Sequence, residues 1–484
     1  MTFPRFLALA GLLPAVLAGQ PSLTIYNANF AVVRDRVPLD LKAGVNTVAF
    51  SGVTAQMETD SVVLRDPAGQ VPFRILDQNY RADTISQGLL LQFNEGKTIT
   101  FLVHDQNQKE FPVQGRIIRS GYTPGASRGQ GDQTPIIEVN GQLRFSLPGE
   151  PVFPALADDA ILKPTLGWDI ESESAVKFNA DLSYVTGGFS WQAAYNLVAA
   201  EKGDKADLVG WVTINNQSGM SFANATVKLM AGDVNKIQPV APRLGARGGA
   251  GGAMAMAAMA PVVTEKTFDE YHLYTLARPA TLRDRETVQV EFVRAEGITA
   301  PALYIYDGAA VGDYRGLNPG TARSPNYGTQ SNKKVWVMRE IHNTKENHLG
   351  LPLPKGRVRF YRSDEEQRLE FVGENNLDHT PKDETIRLYV GDSFDLVGER
   401  ARTDFTASAR GDFADETFEI KVRNHKLEPA EIRVVEHLYR GTNWAITEKS
   451  DPFLKNDAQT IEFRVSLKPD EEKTVTYKVH YTWE

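Results

Sequence analysis

The chain has no cysteine among its 484 residues, which excludes a disulfide framework, a thiolate metal centre and a cysteine nucleophile. It also lacks an apolar run of the about 20 residues that a membrane-spanning helix needs. Long stretches of helical periodicity are missing too. The glycines between 245 and 252 have neither the spacing nor the flanking strand and helix of a phosphate-binding loop. No Gly-x-Ser-x-Gly elbow occurs; the nearest match is Gly219-Met220-Ser221-Phe222-Ala223. Its strand-rich surroundings do not offer the strand–turn–helix that exposes a nucleophilic serine. Basic charge is in short supply as well: 53 Lys and Arg stand against 61 Asp and Glu, a balance that disfavours nucleic acid and other polyanions.

At the N-terminus, Arg5 precedes an apolar run from Phe6 to Val16 interrupted only by Gly11 and Pro14, and Leu17-Ala18-Gly19 follows. This pattern predicts a secretory signal peptide over residues 1–18, cut after Ala18. Position 20 is Gln, so no lipid-bearing cysteine follows the cut. The expectation is an exported, soluble protein of the periplasm or cell surface, with no transmembrane segment in the mature chain.

Alternation of apolar and polar residues dominates the rest, as half-buried strands require. Ile99, Phe101 and Val103 alternate with Thr98, Thr100 and Leu102. Phe418, Ile420 and Val422 alternate with Glu419, Lys421 and Arg423, and Val475, Tyr477, Val479 and Tyr481 with Thr474, Thr476, Lys478 and His480. Residues 357–361 and 368–371 flank Ser363-Asp364-Glu365-Glu366, which reads as a hairpin turn. These patterns predict an all-β chain of several sandwiches: an N-terminal one over 19–150, a central β domain over 151–390, and an immunoglobulin-like one over 391–484, where strand candidates are dense. Two interruptions mark the central domain. Residues 240–261, with Gly248-Gly249-Ala250-Gly251-Gly252 and Met254, Met256 and Met259 among alanines, predict a disordered linker. Residues 307–333 form a long loop rich in Gly, Pro and Asn.

Several segments resemble one another's counterparts in a bacterial family. They are Leu23-Thr24-Ile25-Tyr26-Asn27, Leu162-Lys163-Pro164-Thr165-Leu166, Gly188-Phe189-Ser190-Trp191-Gln192-Ala193-Ala194-Tyr195, Gly210-Trp211-Val212-Thr213-Ile214-Asn215-Asn216, Leu229-Met230-Ala231-Gly232-Asp233-Val234 and Gly373-Glu374-Asn375-Asn376-Leu377-Asp378-His379-Thr380-Pro381-Lys382. In this order the chain resembles the domain-of-unknown-function family four-one-three-nine, which also occurs in the C-terminal part of mucoidy-inhibitor-like proteins. The resemblance implies export and stacked sandwiches. It implies no activity, so it assigns no catalytic residue.

Two places carry candidate chemistry. Glu374, Asp378, His379 and Thr380, followed by Asp383 and Glu384, could supply carboxylate and imidazole groups to an acid/base pair or a cation. The plainer reading of the same residues is an Asx-type turn before Pro381. His342 and His348, six apart, fit neither helical nor strand metal spacing. The second place is the 307–333 loop with Tyr314 and Tyr327, bordered by Trp336. Unstructured loops of this length are uncommon and often functional, and aromatic faces suit stacking on sugars or anchoring a protein. Trp191, Tyr195 and Trp211 lie on strand patterns and read as core.

The sequence therefore predicts no catalytic residue, no metal and no cofactor. The function it favours is a structural or recognition module of the envelope, binding an envelope polysaccharide or another exported protein through loops at sandwich ends. The alternative is a carboxylate-dependent hydrolase of envelope polymers, which needs only two acids about 5 to 10 Å apart and no particular sequence spacing.

Overall fold

A computed structural model describes residues 20–104, 109–123, 134–154, 161–232, 263–268, 271–314 and 319–483. The signal peptide and the 240–261 linker read from the sequence lie outside the described residues. The fold is nearly all β, arranged in several separate sheets as multiple sandwiches require. Among the described residues two short α-helices interrupt the strands, Gln87–Phe93 and Pro319–Arg323. Among the described residues no helix is long and apolar enough to cross a membrane.

The chain forms two compact units. The first comprises Met1–Ser190, Asn215–Leu229 and Arg278–Val288. In one of its sheets the strands Ser22–Tyr26, Phe30–Leu41, Val176–Gly187 and Val63–Arg65 run side by side. Phe30–Leu41 shows why: Val37, Leu39 and Leu41 are buried while Arg36, Pro38 and Asp40 between them are not, the period-two pattern of a strand with one face on a core. A three-stranded sheet places Thr165–Ser172 between Gly44–Ser51 and Phe73–Arg81. A five-stranded sheet has its own core of Ile99, Phe101, Ile117, Ile137 and Val139. Gly115 is needed there, because a Cβ on it would meet Phe101 at 2.8 Å and Ile137 at 2.9 Å. The helix Gln87–Phe93 starts at Ser86, whose hydroxyl accepts a hydrogen bond from the Leu89 amide at 3.2 Å, an N-cap. Its Leu89 and Leu91 are buried.

The second unit comprises Trp191–Ile214, Met230–Ala277 and Gln289–Glu484. One of its sheets runs Glu286–Thr299, Lys205–Asn216, Phe189–Ala199, Gly356–Ser363, Leu369–Leu377. Ala193–Ala199 pairs with Gly356–Arg362 in parallel. Gly356–Ser363 and Leu369–Leu377 form the hairpin expected from the sequence, closed by the Asp364 amide donating to the Arg368 carbonyl at 2.9 Å. Trp191 and Tyr195 are buried as the strand pattern implies, and Trp211 is half-buried.

The larger sheet has nine strands, in the order Trp444–Lys449, Glu472–Thr482, Phe413–Asn424, Thr385–Ala407, Lys334–His342, Ala302–Asp307, Ala430–His437, Thr460–Leu467, Phe453–Lys455. Its two arms face each other, for the rings of Phe463 and Tyr477 lie 5.8 Å apart although their strands are distant in that order. Between the arms lie Phe418, Ile420, Val422, Ile432, Val434, Ile461, Phe463, Val475 and Val479. Two strands upstream of residue 391, Ala302–Asp307 and Lys334–His342, complete this C-terminal sandwich.

Candidate functional site

The inward positions of this sandwich are not all apolar. Along Phe413–Asn424 the buried series is Ala414, Glu416, Phe418, Ile420, Val422, and along Ala430–His437 it is Ile432, Val434, Glu436. Strand pairing sets Arg400 opposite Ile420 and Arg402 opposite Phe418. The side chains of Arg400, Glu436, Glu416 and Arg440 are 0–1% exposed. Ions at that depth are tolerated only when paired and hydrogen-bonded, and here they are.

Arg400 Nε donates to both carboxylate oxygens of Glu436 at 2.9 Å, and the Tyr477 hydroxyl donates to Glu436 Oε2 at 2.5 Å. The guanidinium stacks 4.0 Å over the Phe418 ring, a cation–π contact. Beside this pair, Glu416 Oε1 accepts from Arg440 Nη2 at 2.8 Å, Arg402 Nη1 at 3.0 Å and the Tyr439 hydroxyl at 3.1 Å. Phe405 lies against both Arg402 and Arg440, 4.8 and 4.9 Å from its ring. Burial opposes the charge on Arg400 and Arg440, but the carboxylates of Glu436 and Glu416 outweigh it and hold both guanidinium groups protonated. Burial pushes the Tyr439, Tyr477 and Tyr481 hydroxyls upward, and the neighbouring carboxylates push the same way.

Further donors of these guanidinium groups reach one segment. Arg400 Nη1 donates to the Gly328 carbonyl at 2.9 Å. Arg440 donates to the carbonyls of Ala322, Ser324 and Tyr327 at 2.7, 2.9 and 2.9 Å. Arg402 Nη2 donates to the Pro325 carbonyl. Five consecutive or near-consecutive carbonyls of the 307–333 loop are thus held from beneath by three arginines. The loop ends are tied as well: Tyr306 donates to the Asn332 carbonyl at 2.7 Å, and Asn332 Nδ2 donates to the Asp307 carbonyl at 2.8 Å. At Gly328, φ is +78° and a Cβ would lie 2.1 Å from the Tyr439 ring, so only glycine fits this close approach.

The aromatic residues singled out from the sequence now have places. Tyr327 packs edge-on to Tyr439, with centroids 5.3 Å apart, and donates to the Val311 carbonyl at 3.0 Å. The Tyr314 hydroxyl lies 3.1 Å from His437 Nδ1, and His437 Nε2 is 2.9 Å from Asp307 Oδ2. Both tyrosines therefore press onto the sandwich core rather than standing as open stacking faces. Trp336 sits half-buried on Lys334–His342 and packs edge-on to Tyr389 at 6.4 Å. The outer side of the clamped loop offers Arg323, Asn326, Gln330 and Ser331, all exposed.

The other cluster is split. Glu374 lies on Leu369–Leu377 within 3.7 and 3.8 Å of Arg357 and Arg359. Asp378 Oδ1 accepts from the His379 amide at 2.9 Å, and the Thr380 hydroxyl donates to the Asp378 carbonyl at 2.8 Å. His379 Nδ1 accepts from the Lys355 amide at 3.3 Å. Thr380 exchanges backbone hydrogen bonds with Leu353 at 2.8 and 2.9 Å. These contacts shape and pin a turn. His342 and His348 have separate partners, Thr385 and the Glu296 carbonyl. Among the described residues no group of three His, Asp or Glu side chains is placed to hold a metal ion.

The arginine clamp escaped the sequence reading. Its signal was present: Glu416 and Glu436 keep phase with buried apolar residues on their strands, and an in-phase charge inside a sandwich demands a partner. A search among curated proteins finds no match. The family model for the domain of unknown function DUF4139 matches residues 180–484, a span that includes every strand of the nine-stranded sheet and the whole of the clamp. The chain belongs to the DUF4139 family.

Proposed function

We propose that this protein is an exported recognition and scaffolding module of the bacterial cell envelope, and that the clamped 307–333 loop is its docking platform. The observation that carries the reading is the set of three arginines, two of them buried and Arg402 nearly so, spent on the backbone carbonyls of 322–328. Covering a core does not require them; apolar side chains would do so at lower cost. What they add is one fixed conformation. Ordering backbone costs about 1–2 kcal/mol per residue, and a loop ordered on folding does not bear that cost on binding. The partner is an envelope polysaccharide or another exported protein. The polar groups of Asn326, Gln330 and Ser331 on the outer side suit either, and the tyrosines beneath support the loop. A kinship with mucoidy-inhibitor-like proteins is part of the same reading, and it rests on the motifs quoted above.

The test is co-sedimentation of the full chain with purified envelope polysaccharides and peptidoglycan, with released fragments read by mass spectrometry. Binding without fragments, weakened by Asn326→Ala with Gln330→Ala, is the expected result. Released soluble fragments would replace this reading with a hydrolase. Absence of binding to any polymer would move the partner to an exported protein.

A further inference from the structure

A second place in this unit has unused binding capacity. A pocket of about 220 Å³ lies where the Phe189–Ala199 and Gly356–Ser363 strands meet Lys334–His342 and Thr385–Ala407. Its walls are mainly apolar, with Leu197, Val337 and Val390 among them, and they also carry Arg339, Arg362 and Asp392. At ~30 Å³ per water the pocket takes a body of about seven heavy atoms.

Arg339 is the unusual wall. It is only 9% exposed, and among the described residues its side chain makes one hydrogen bond, from Nη1 to the Ala300 carbonyl at 2.8 Å. No carboxylate pairs with it among the described residues, in contrast to the paired arginines of the clamp. Burial and the neighbouring charge of Arg362 disfavour the charged form of Arg339, and the more weakly felt Asp204 carboxylate does not make up for them. Arg362 uses Nε and Nη2 on the Glu201 carbonyl, which leaves its Nη1 for another acceptor. Asp392 cannot neutralise the pair, for its carboxylate is engaged by Lys334 at 2.7 Å and by the Tyr389 hydroxyl at 2.9 Å. Leaving a buried guanidinium without a directly paired anion is expensive, and the like charge of the exposed Arg362 adds to that. The rim is apolar: Phe371 and Val372 are 56% and 45% exposed, and Phe371 packs edge-on to Tyr361 of the pocket wall at 5.9 Å.

From these observations we infer that the pocket binds an anionic amphiphile, whose carboxylate or phosphate head is held by Arg339 and Arg362 and whose apolar tail leaves over Phe371 and Val372. The head supplies the directly paired counter-charge that Arg339 lacks among the described residues, and planar guanidinium groups suit both oxyanions. The inference is independent of the 307–333 loop and its partner.

The test is calorimetric titration of the full chain with octanoate and, as the uncharged match, octanol. Octanoate should bind saturably, and octanol about tenfold or more weaker, since hydrogen bonds to a charged group carry that much. Arg339→Gln and Arg362→Gln should each weaken octanoate by about tenfold or more and leave octanol unchanged. Should Arg339→Gln not fold, Arg362→Gln carries the same reading from an exposed position, and the octanol comparison needs no variant. Equal binding of octanoate and octanol, or no saturable octanoate binding, overturns the proposal. Co-sedimentation with phosphatidylglycerol vesicles then separates the sources: binding lost in Arg362→Gln places the head in a bilayer lipid, whereas octanoate binding without vesicle binding assigns a free amphiphile.

Discussion

Replacing Glu416 by Gln keeps the shape of the side chain and removes its charge, and so isolates what the carboxylate does. In the folded protein Glu416 Oε1 takes hydrogen bonds from Arg440, Arg402 and Tyr439 within 3.1 Å, and both its own and the Arg440 side chain are wholly buried. The variant leaves Arg440 as a buried cation without a counter-ion, and breaking a buried pair from one side costs about 3–5 kcal/mol. At about 2–4 °C per kcal/mol for a unit of this size, the midpoint of thermal unfolding should fall by about 6–20 °C. The loop should loosen as well, because Arg440 and Arg402 are aimed at its carbonyls by Glu416. Arg323 lies exposed in that loop, so trypsin cleavage after Arg323 should accelerate in the variant. Replacing Glu416, Arg402 and Arg440 together by Leu, Met and Met should recover about 1–4 kcal/mol of the loss, yet the loop should stay susceptible to trypsin, since the carbonyls of Ala322, Ser324, Pro325 and Tyr327 lose their donors and Arg400 holds Gly328 alone. A Glu416→Gln protein within about 0.5 kcal/mol of the parent, the size of a surface change, with unaltered cleavage after Arg323, would refute the clamp.

Further outcomes follow from the same geometry. Gly328→Ala puts a methyl 2.1 Å from the Tyr439 ring at φ +78° and should destabilise by about 1–3 kcal/mol, measured by urea unfolding. His437 has its pKa raised: burial opposes protonation, but the Asp307 carboxylate 2.9 Å away outweighs it. The stability it contributes is therefore whole below the ordinary value of 6.5 and is lost as pH rises through the raised value, so His437→Gln should flatten the fall of the urea midpoint across that range. Asn343, wholly buried, donates to the Leu351 and Pro381 carbonyls at 2.8 Å and accepts from the Gly350 amide at 3.0 Å. Asn343→Ala should cost about 2–4 kcal/mol and speed amide exchange at Gly350 and Leu353.

Alternation was enough to read the fold class and many of the buried residues. Phe418, Ile420 and Val422, and Val475, Tyr477, Val479 and Tyr481, are buried as the period of two requires. The Ser363–Glu366 turn was legible because a tight hairpin is written in neighbouring residues. Partnership between distant strands was not legible. Nothing local tells Ala193 that it will pair in parallel with Gly356, or Tyr304 with Ile432, because pairing depends on which strands meet and not on their periodicity. The site was hidden for the same reason. Arg400 and Glu436 meet across 36 residues of chain, and each alone looks like a strand residue with a charged side chain. Tyr314 and Tyr327 were found as members of a long loop, but their hydroxyls turn toward His437 and the Val311 carbonyl, a direction that composition cannot give. Glu374, Asp378 and His379 are close in sequence yet spend their polar atoms on arginines and turn backbone, as the turn chemistry around Pro381 allows.

The parallel join between Ala193–Ala199 and Gly356–Arg362 bears on how the chain reaches its native state. Next to it, the Tyr195 hydroxyl donates to the Pro354 carbonyl 159 residues away, and the strand Phe413–Asn424 waits for Glu472–Thr482 to cover its flank. Contacts of such separation form late, because long loops must close before any energy returns. While this unit is being made, its strands would stand with open edges, and an open edge is a template for pairing with other chains. Refolding should accordingly be slow and sensitive to protein concentration, and a holding chaperone should raise the yield more than added salt does.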